Sequence, residues 1–347
     1  MKTKKTPNKS IFKYTQLICL LLAFIIMGCS SDDNNDGKDS ENFNIYVTGN
    51  FDSNFSERIR VWENGIESSL TDDTRQSRGE SIFVSGDDVY VAGFERTEDL
   101  KYVAKVWKNG VPTILTDGSK DAIAYSVFVS GTDVYVAGYQ TNANNKRVAT
   151  LWKNGIVSQL TDGTRESSAN SVFVAGNDAY VAGFDINANN KLVATVWKNG
   201  VASSLTDGVE SSIANSIYVV DNDVYVAGPE SNGTKGVAKV WKNGVPTILT
   251  DGNKTAVASS VFVSGDDVYV GGYEDNIDDR FAARIWKNGA VLLSKEEPSV
   301  ILSVFVAGND VYAVGHLGRK ATLWKNGEAT VLNDEESRAA SVYVTQQ

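Results

Sequence analysis

Few residues of this chain have the types and spacing that chemistry needs. His316 is the only histidine among 347 residues, so a multi-histidine metal site is excluded and a histidine-based triad has no support. Asp185, Glu230 and Glu274 could supply a pair of carboxylates for glycoside hydrolysis, one as acid and one as base or nucleophile, although acids are spread through the whole sequence. The acids of the recurrent L-T-D-G segments (Asp117, Asp162, Asp207, Asp251, with Asp72 in L-T-D-D) read first as turn formers. No D-x-D-x-D-G loop gathers the six to eight oxygens of a calcium site, so no metal is expected. No glycine loop precedes a helix to cradle phosphates, and no motif calls for a cofactor.

The remaining candidates are positional. D-V-Y-V-A-G or a variant begins at Asn44, Asp88, Asp133, Asp178, Asp223, Asp267 and Asp310, at spacings of 43 to 45 residues. Directly after it stand Asn50, Phe94, Tyr139, Phe184, Pro229, Tyr273 and His316. Phe94, Tyr139, Phe184 and Tyr273 are aromatic and, with His316, are the candidate ligand-binding residues: such a ring can stack on sugars or on a partner's apolar side chains. The competing reading is that they pack beneath their own loops. A second ring is made of serines, Ser81, Ser126, Ser171, Ser216, Ser260, Ser303 and Ser341, whose hydroxyls are expected to satisfy neighbouring backbone groups.

These residues are positioned by a repeat near 45 residues, which with short alternating segments means a propeller or a β-solenoid. In the unit from Ser171 to Gly208, S-V-F-V is a first strand ending in a Gly/Asn/Asp turn, and D-A-Y-V-A-G-F is a second. After a polar loop, L-V-A-T-V-W is a third, and K-N-G makes a tight hairpin into the fourth, V-A-S-S-L-T-D-G. Asn-Gly takes the positive φ of a type I′ turn, and such turns join antiparallel neighbours. The expected fold is therefore all-β: a seven-bladed β-propeller of four-stranded antiparallel blades. The repeat region opens on a second strand (44–49) and finishes on a first strand, S-V-Y-V (341–344), so pairing the C-terminal strand with the N-terminal blade would close the ring.

All seven Trp stand in W-K-N-G or, once, W-E-N-G, at Trp62, Trp107, Trp152, Trp197, Trp241, Trp286 and Trp324. One large residue per blade is what packing blade against blade requires. With the Tyr of the second strand and the Phe or Tyr of the first, 21 of the 34 aromatics recur in this way. If the S-V-F-V strand is innermost, all tight turns lie on one face, and the variable loops and blade crossovers lie on the other, the loop face. The shortest of those loops, H-L-G-R-K at 316–320, would leave a notch in its rim.

The N-terminus reads differently. Residues 1–16 are basic and polar, and residues 17–27, L-I-C-L-L-L-A-F-I-I-M, are apolar. That stretch is too short to span a bilayer and suits a signal peptide. It ends in I-M-G-C, which resembles the lipobox of bacterial lipoproteins, whose Cys is lipidated and becomes the first mature residue. The resemblance makes residues 1–28 a lipoprotein signal peptide and Cys29 the lipidation site; an ordinary signal peptide is the alternative. The polar, acidic stretch that follows completes a tether over 29–43 and resembles the acidic export tags of surface-exposed lipoproteins in some Gram-negative bacteria. Residues 44–347 form the propeller domain. The two Cys, Cys19 and Cys29, give no disulfide framework. Beyond residue 28 the chain has 28 basic and 43 acidic residues, a net −15 that repels a phosphate backbone and excludes nucleic acid as a partner.

Residues 44–344 look like the D-V-Y-V-A-G…W-K-N-G propeller-repeat lipoproteins of bacterial genomes, a resemblance that implies fold and carries no catalytic residue. The reading that results is a non-catalytic, lipid-anchored monomer of the outer membrane, surface-exposed or facing the periplasm, that binds a protein or glycan on its loop face. The alternatives are a carbohydrate-active lyase or hydrolase with carboxylates at the channel mouth, and a structural envelope component.

Overall fold

The chain from residue 43 onward turns back on itself every few residues, because Asn-Gly and Gly-Asp turns punctuate runs of alternating Val, Tyr and Ala. The structure, a computed structural model, describes residues 43–347 apart from 54–55, 73, 277 and 279, with 53 and 56 described by backbone alone. The expected signal peptide, Cys29 and the expected tether as far as residue 42 lie outside the described residues; Phe43, assigned to the tether, is instead the first residue of a strand. Glu41–Gln347 is one compact unit. The described residues form 27 strands, β1 to β27 in chain order, and no helix. All strand pairs are antiparallel, in five sheets of four strands and one of seven.

The repeat unit is clearest in β8 (Ala122–Ser130), β9 (Asp133–Thr141), β10 (Arg147–Lys153) and β11 (Ile156–Gln159), which lie in that order. Asn154 and Gly155 take φ of 52° and 77°, as the Asn-Gly turn demands. Asn154 Nδ2 donates to Asp133 Oδ1 at 2.8 Å, and its Oδ1 accepts the Val134 N–H at 2.9 Å. Lys153 Nζ reaches Asp133 Oδ2 at 2.7 Å and lies 5.0 Å from the Tyr135 ring centre. D-V-Y and K-N-G are thus two halves of one cluster, which holds both tight turns on the same face. The Lys153 ammonium, with Asn154, holds the Asp133 carboxyl below its usual range. In the first sheet both charges are exchanged together: Glu63 replaces Lys and Asn44 replaces Asp, and Asn64 Nδ2 donates to Asn44 Oδ1 at 3.0 Å. An Asp at 44 would have faced Glu63 across the turn, and like charges opposed in a sheet destabilise it.

The glycine of D-V-Y-V-A-G has a steric cause. A β-bulge interrupts the pairing of β8 with β9 between Ala124 and Ser126. A Cβ on Gly138 would stand 1.9 Å from the Ile123 carbonyl oxygen, and one on Gly183 the same distance from that of Ser168.

Sheets pack through tryptophan against alanine. Every Trp is at most 2% exposed. Trp152 shares a core with Tyr90, Ala92, Ala104 and Val106 of the preceding sheet, and Trp197 with Tyr135, Ala137 and Ala149 of its own predecessor. The small residues leave room for the neighbour's indole. At the inner strands Phe83, Phe128, Phe173, Tyr218, Phe262, Phe305 and Tyr343 touch in series at 4.6–5.1 Å between ring centres, and Tyr343 touches Phe83 again. The serine ring behaves as expected and also joins sheets. Ser81 Oγ accepts the Val127 N–H at 3.3 Å, Ser126 that of Val172 at 3.1 Å, and Ser341 that of Ile82 at 3.2 Å.

The seven-stranded sheet departs from the expectation of four strands throughout. Its strand β23 (Ala290–Ala307) runs 18 residues, pairing through its first half with β22 (Phe281–Lys287) and through its second with β24 (Asp310–Leu317). Four other repeats break the chain there at L-T-D-G, the first at L-T-D-D and the last at L-N-D-E; here Leu293 is followed by S-K-E-E-P and the strand runs on. At the other end β27 (Ser337–Gln346) pairs with β1 (Phe43–Ser53), placing Tyr343 opposite Tyr46 and Val342 opposite Val47.

Candidate functional site

The aromatic ring expected on the loop face is turned inward. Phe94, Tyr139 and Phe184 are 3%, 7% and 8% exposed, and Tyr273 is half-buried. Phe94 packs edge-on against Tyr102 at 4.7 Å, and Tyr273 lies tilted against Phe281 at 4.6 Å. Tyr139 lies 6.0 Å from Tyr125, with the Arg147 guanidinium 5.7 Å from its ring. The reading of these residues as exposed stacking anchors is therefore corrected: they pack beneath their loops, as the competing reading held.

Asp185, Glu230 and Glu274 belong to three different repeats and form no carboxylate pair. Glu230 is bound to Lys239 and Glu274 to Arg284, each within its own sheet. Asp185 is pushed up by burial, an effect that the Ile186 N–H opposes. The L-T-D-G acids are turn formers as expected. Asp162 Oδ1 accepts both the Thr164 N–H (2.9 Å) and the Thr164 hydroxyl (2.7 Å). Among the described residues no group of three His, Cys, Asp or Glu could hold a metal.

His316, in contrast, opens onto a cleft. A cavity of about 190 Å³ lies on the loop face, where β24 with its short loop meets β27 and β1. It is lined by Asn50, Asp52, Glu57, His316, Gly318, Arg319, Glu336, Ser337 and Arg338. Asn50 Oδ1 accepts the Gly79 N–H at 2.9 Å, which fixes the amide. The Asp52 N–H donates to the Glu336 carbonyl at 2.8 Å, and Arg319 grips the Glu336 carboxylate at 3.0 and 3.2 Å. His316 Nδ1 lies 2.8 Å from the Gly318 carbonyl oxygen, to which it donates. Burial lowers the His316 pKa, the Gly318 bond opposes this, and Arg338 lowers it further, so the ring is neutral at pH 7.

The neighbouring inner strand, β4 (Ser77–Ser85), adds Arg78 and Glu80. Arg78 Nε is 3.3 Å from Glu57 Oε1 and 3.5 Å from Glu80 Oε1, while Arg338 Nη2 is 3.7 Å from Glu80 Oε2. Four polar atoms here are buried without a hydrogen-bond partner: Asn50 Nδ2, Asp52 Oδ1, Arg78 Nε and Arg338 Nε. The other buried, unpartnered side-chain atoms among the described residues are indole nitrogens of Trp152, Trp197 and Trp324, which recur with the repeat. Their place after D-V-Y-V-A-G or its variants marks Asn50 and His316 in the sequence; Asp52, Glu57, Arg78, Glu80 and Arg338 fall outside that pattern. A usable signal existed: Arg78 and Arg338 occupy a position that is Ile123, Ser168, Ile213, Val257 and Val300 in the other repeats.

The turn face is uniform by comparison. Its grooves of about 290, 290 and 200 Å³ are lined by equivalent Tyr, Lys and Asn-Gly residues of successive sheets, and so repeat with the packing.

No known protein family and no curated protein matches the chain. Among solved structures it is similar to a Mycobacterium tuberculosis puromycin-hydrolyzing peptidase, with a TM-score of 0.57 and 11% sequence identity over 83% of this chain. The match covers 53% of that chain, so this protein spans about half its length. At that identity the likeness concerns the fold alone. The protein is all-β and propeller-like.

Proposed function

We propose that the chain is a seven-bladed, ring-closed β-propeller which binds a protein or glycan at the cell surface through its loop face, without catalysis. The returning series of aromatic contacts and the pairing of β27 with β1 support seven blades: five four-stranded sheets and two that share β23. The observation that carries the binding reading is the cleft beside His316. It is where the repeat is broken, and it is where buried polar groups are left without partners. Buried donors and acceptors are nearly always satisfied, so four such atoms at one seam mark a place prepared for something else. On the turn face each Lys is already neutralised by its Asp, at 2.7–2.8 Å.

The test is capture from envelope extracts and surface polysaccharides by the full-length protein in detergent. Arg338→Ala should retain tenfold less ligand or worse, and Lys153→Ala on the turn face should match wild type, both variants keeping a normal melting curve. The reverse pattern would mean that the binding face is wrongly assigned.

The anchor belongs to the same proposal: a lipid on Cys29, with the acidic tether holding the domain off the outer membrane as a monomer. Cys29→Ala should move the protein from the membrane fraction to the soluble one, because an acidic domain without acyl chains has nothing to hold it there. Unchanged fractionation would refute the anchor.

A further inference from the structure

We infer that the seam cleft is a subsite for a single neutral, hydroxylated sugar unit, read by the orphan polar atoms of Asn50, Asp52 and Arg338. This rests on the loop-face binding reading and gives it a ligand class.

The atoms set the requirement. Asn50 is 3% exposed, and its Oδ1 is committed to the Gly79 N–H, so Nδ2 is the donor left over. Arg338 Nε is a second buried donor, on the residue paired with Asn50 across β27 and β1. Arg78 Nε is a weaker third, since Glu57 stands 3.3 Å away in a direction unsuited to a hydrogen bond. Against these donors, Asp52 Oδ1 is an acceptor without a donor. His316 adds an acceptor, because the Gly318 carbonyl fixes its proton on Nδ1 and leaves a lone pair on Nε2. The three atoms are covered by their neighbours in this structure, so the side chains that rim the cleft must shift for an occupant to accept from Asn50 and Arg338 while donating to Asp52. Adjacent hydroxyl groups do this, since each is donor and acceptor at once.

Charge argues against an acidic ligand. Arg78, Arg319 and Arg338 are opposed by Asp52, Glu57, Glu80 and Glu336, so the seam itself is one unit negative. The region beyond residue 28 carries a net −15. A carboxylate would gain two guanidiniums that already face carboxylates and would meet Asp52 unshielded. A cation fits no better, because the best-buried free group, Asn50 Nδ2, is a donor. Size narrows the choice further. About 190 Å³ is below the roughly 300–1,000 Å³ of pockets for drug-sized ligands, which suits one ring and not a folded peptide segment.

The test is a glycan array probed with the full-length protein in detergent, carrying oligosaccharides that end in neutral hexoses, oligosaccharides that end in uronates, and unglycosylated peptides. Asn50→Asp is the decisive variant: it keeps the oxygen that holds Gly79 and turns the free donor into an acceptor. The expected result is binding of neutral-hexose termini by wild type, at least tenfold weaker in Asn50→Asp and in Arg338→Met, which has no donor where Arg has Nε, with melting curves unchanged. If Asn50→Asp binds those termini as wild type does, the sugar sits elsewhere; this inference fails and loop-face binding survives. Retention of uronate termini alone, or of peptides alone, overturns the neutral-sugar class. If Asn50→Asp unfolds, Arg338→Met carries the same test. If no class is retained, this inference fails, and capture from envelope extracts alone decides the loop-face reading.

Discussion

A chain lacking residues 339–347 should lose the cooperative melt of the intact protein, while one lacking only the exposed Gln346 and Gln347 should keep it. The nine residues carry most of β27, whose Ala339, Val342 and Val344 are at most 5% exposed. Tyr343 touches Phe83 at 4.7 Å and Phe305 at 5.1 Å, so its removal opens the aromatic series on both sides. Ser341 would no longer accept the Ile82 N–H, and Ser303 would lose that of Val342. Burying one Val or Tyr side chain is worth about 1.5–3 kcal/mol, before counting a ladder of backbone groups left bare along β1. The loss is on the order of 5 kcal/mol or more, comparable with the about 5–15 kcal/mol by which whole domains are stable. Circular dichroism melts of the two truncations make the comparison. Equal midpoints would sink the closed-ring proposal.

The fold was legible because its determinants are local and repeated. An Asn-Gly turn, the Asp that receives its Asn and Lys, and a glycine under a bulge each act within a few residues or across one hairpin, and each recurs along the chain. The seam was less legible, for a geometric reason. Counting back by twos from the buried Val344 and Val342 makes Arg338 a residue of the face that packs between sheets. The bulge opposite Thr48 and Gly49 makes Ala340 the extra residue and reverses the alternation, so that Ala339 is buried and Arg338 is only partly covered. The same slip occurs at Glu80 and affects Arg78. A period-two reading cannot anticipate a one-residue slip, because that slip exchanges the two faces of a strand. The aromatic ring failed for a related reason. Phe94 stands inside the second strand, between Arg78 and Ala104, and not after it; whether it meets solvent or Tyr102 depends on a contact between strands.

Trp197→Ala should destabilise the domain by about 3–5 kcal/mol, the usual result of removing a fully buried Trp whose surroundings cannot collapse. Trp197 is 0% exposed, and it packs on Ala137, Ala149 and Tyr135 of the preceding sheet. An alanine methyl has no torsion by which it could move into the void. Replacement by Phe separates packing from hydrogen bonding. Trp62 Nε1 donates to Glu67 Oε2 at 3.1 Å, whereas Trp197 Nε1 is buried without a partner. Trp62→Phe loses ring volume and a bond of about 1 kcal/mol; Trp197→Phe loses the same volume but removes an orphan donor whose burial costs about 1–3 kcal/mol. Trp197→Phe should therefore be the milder substitution by about 2 kcal/mol or more, read from urea midpoints at equal m-values. Equal losses would show that the Trp197 indole N–H is satisfied in solution, by a water between the sheets.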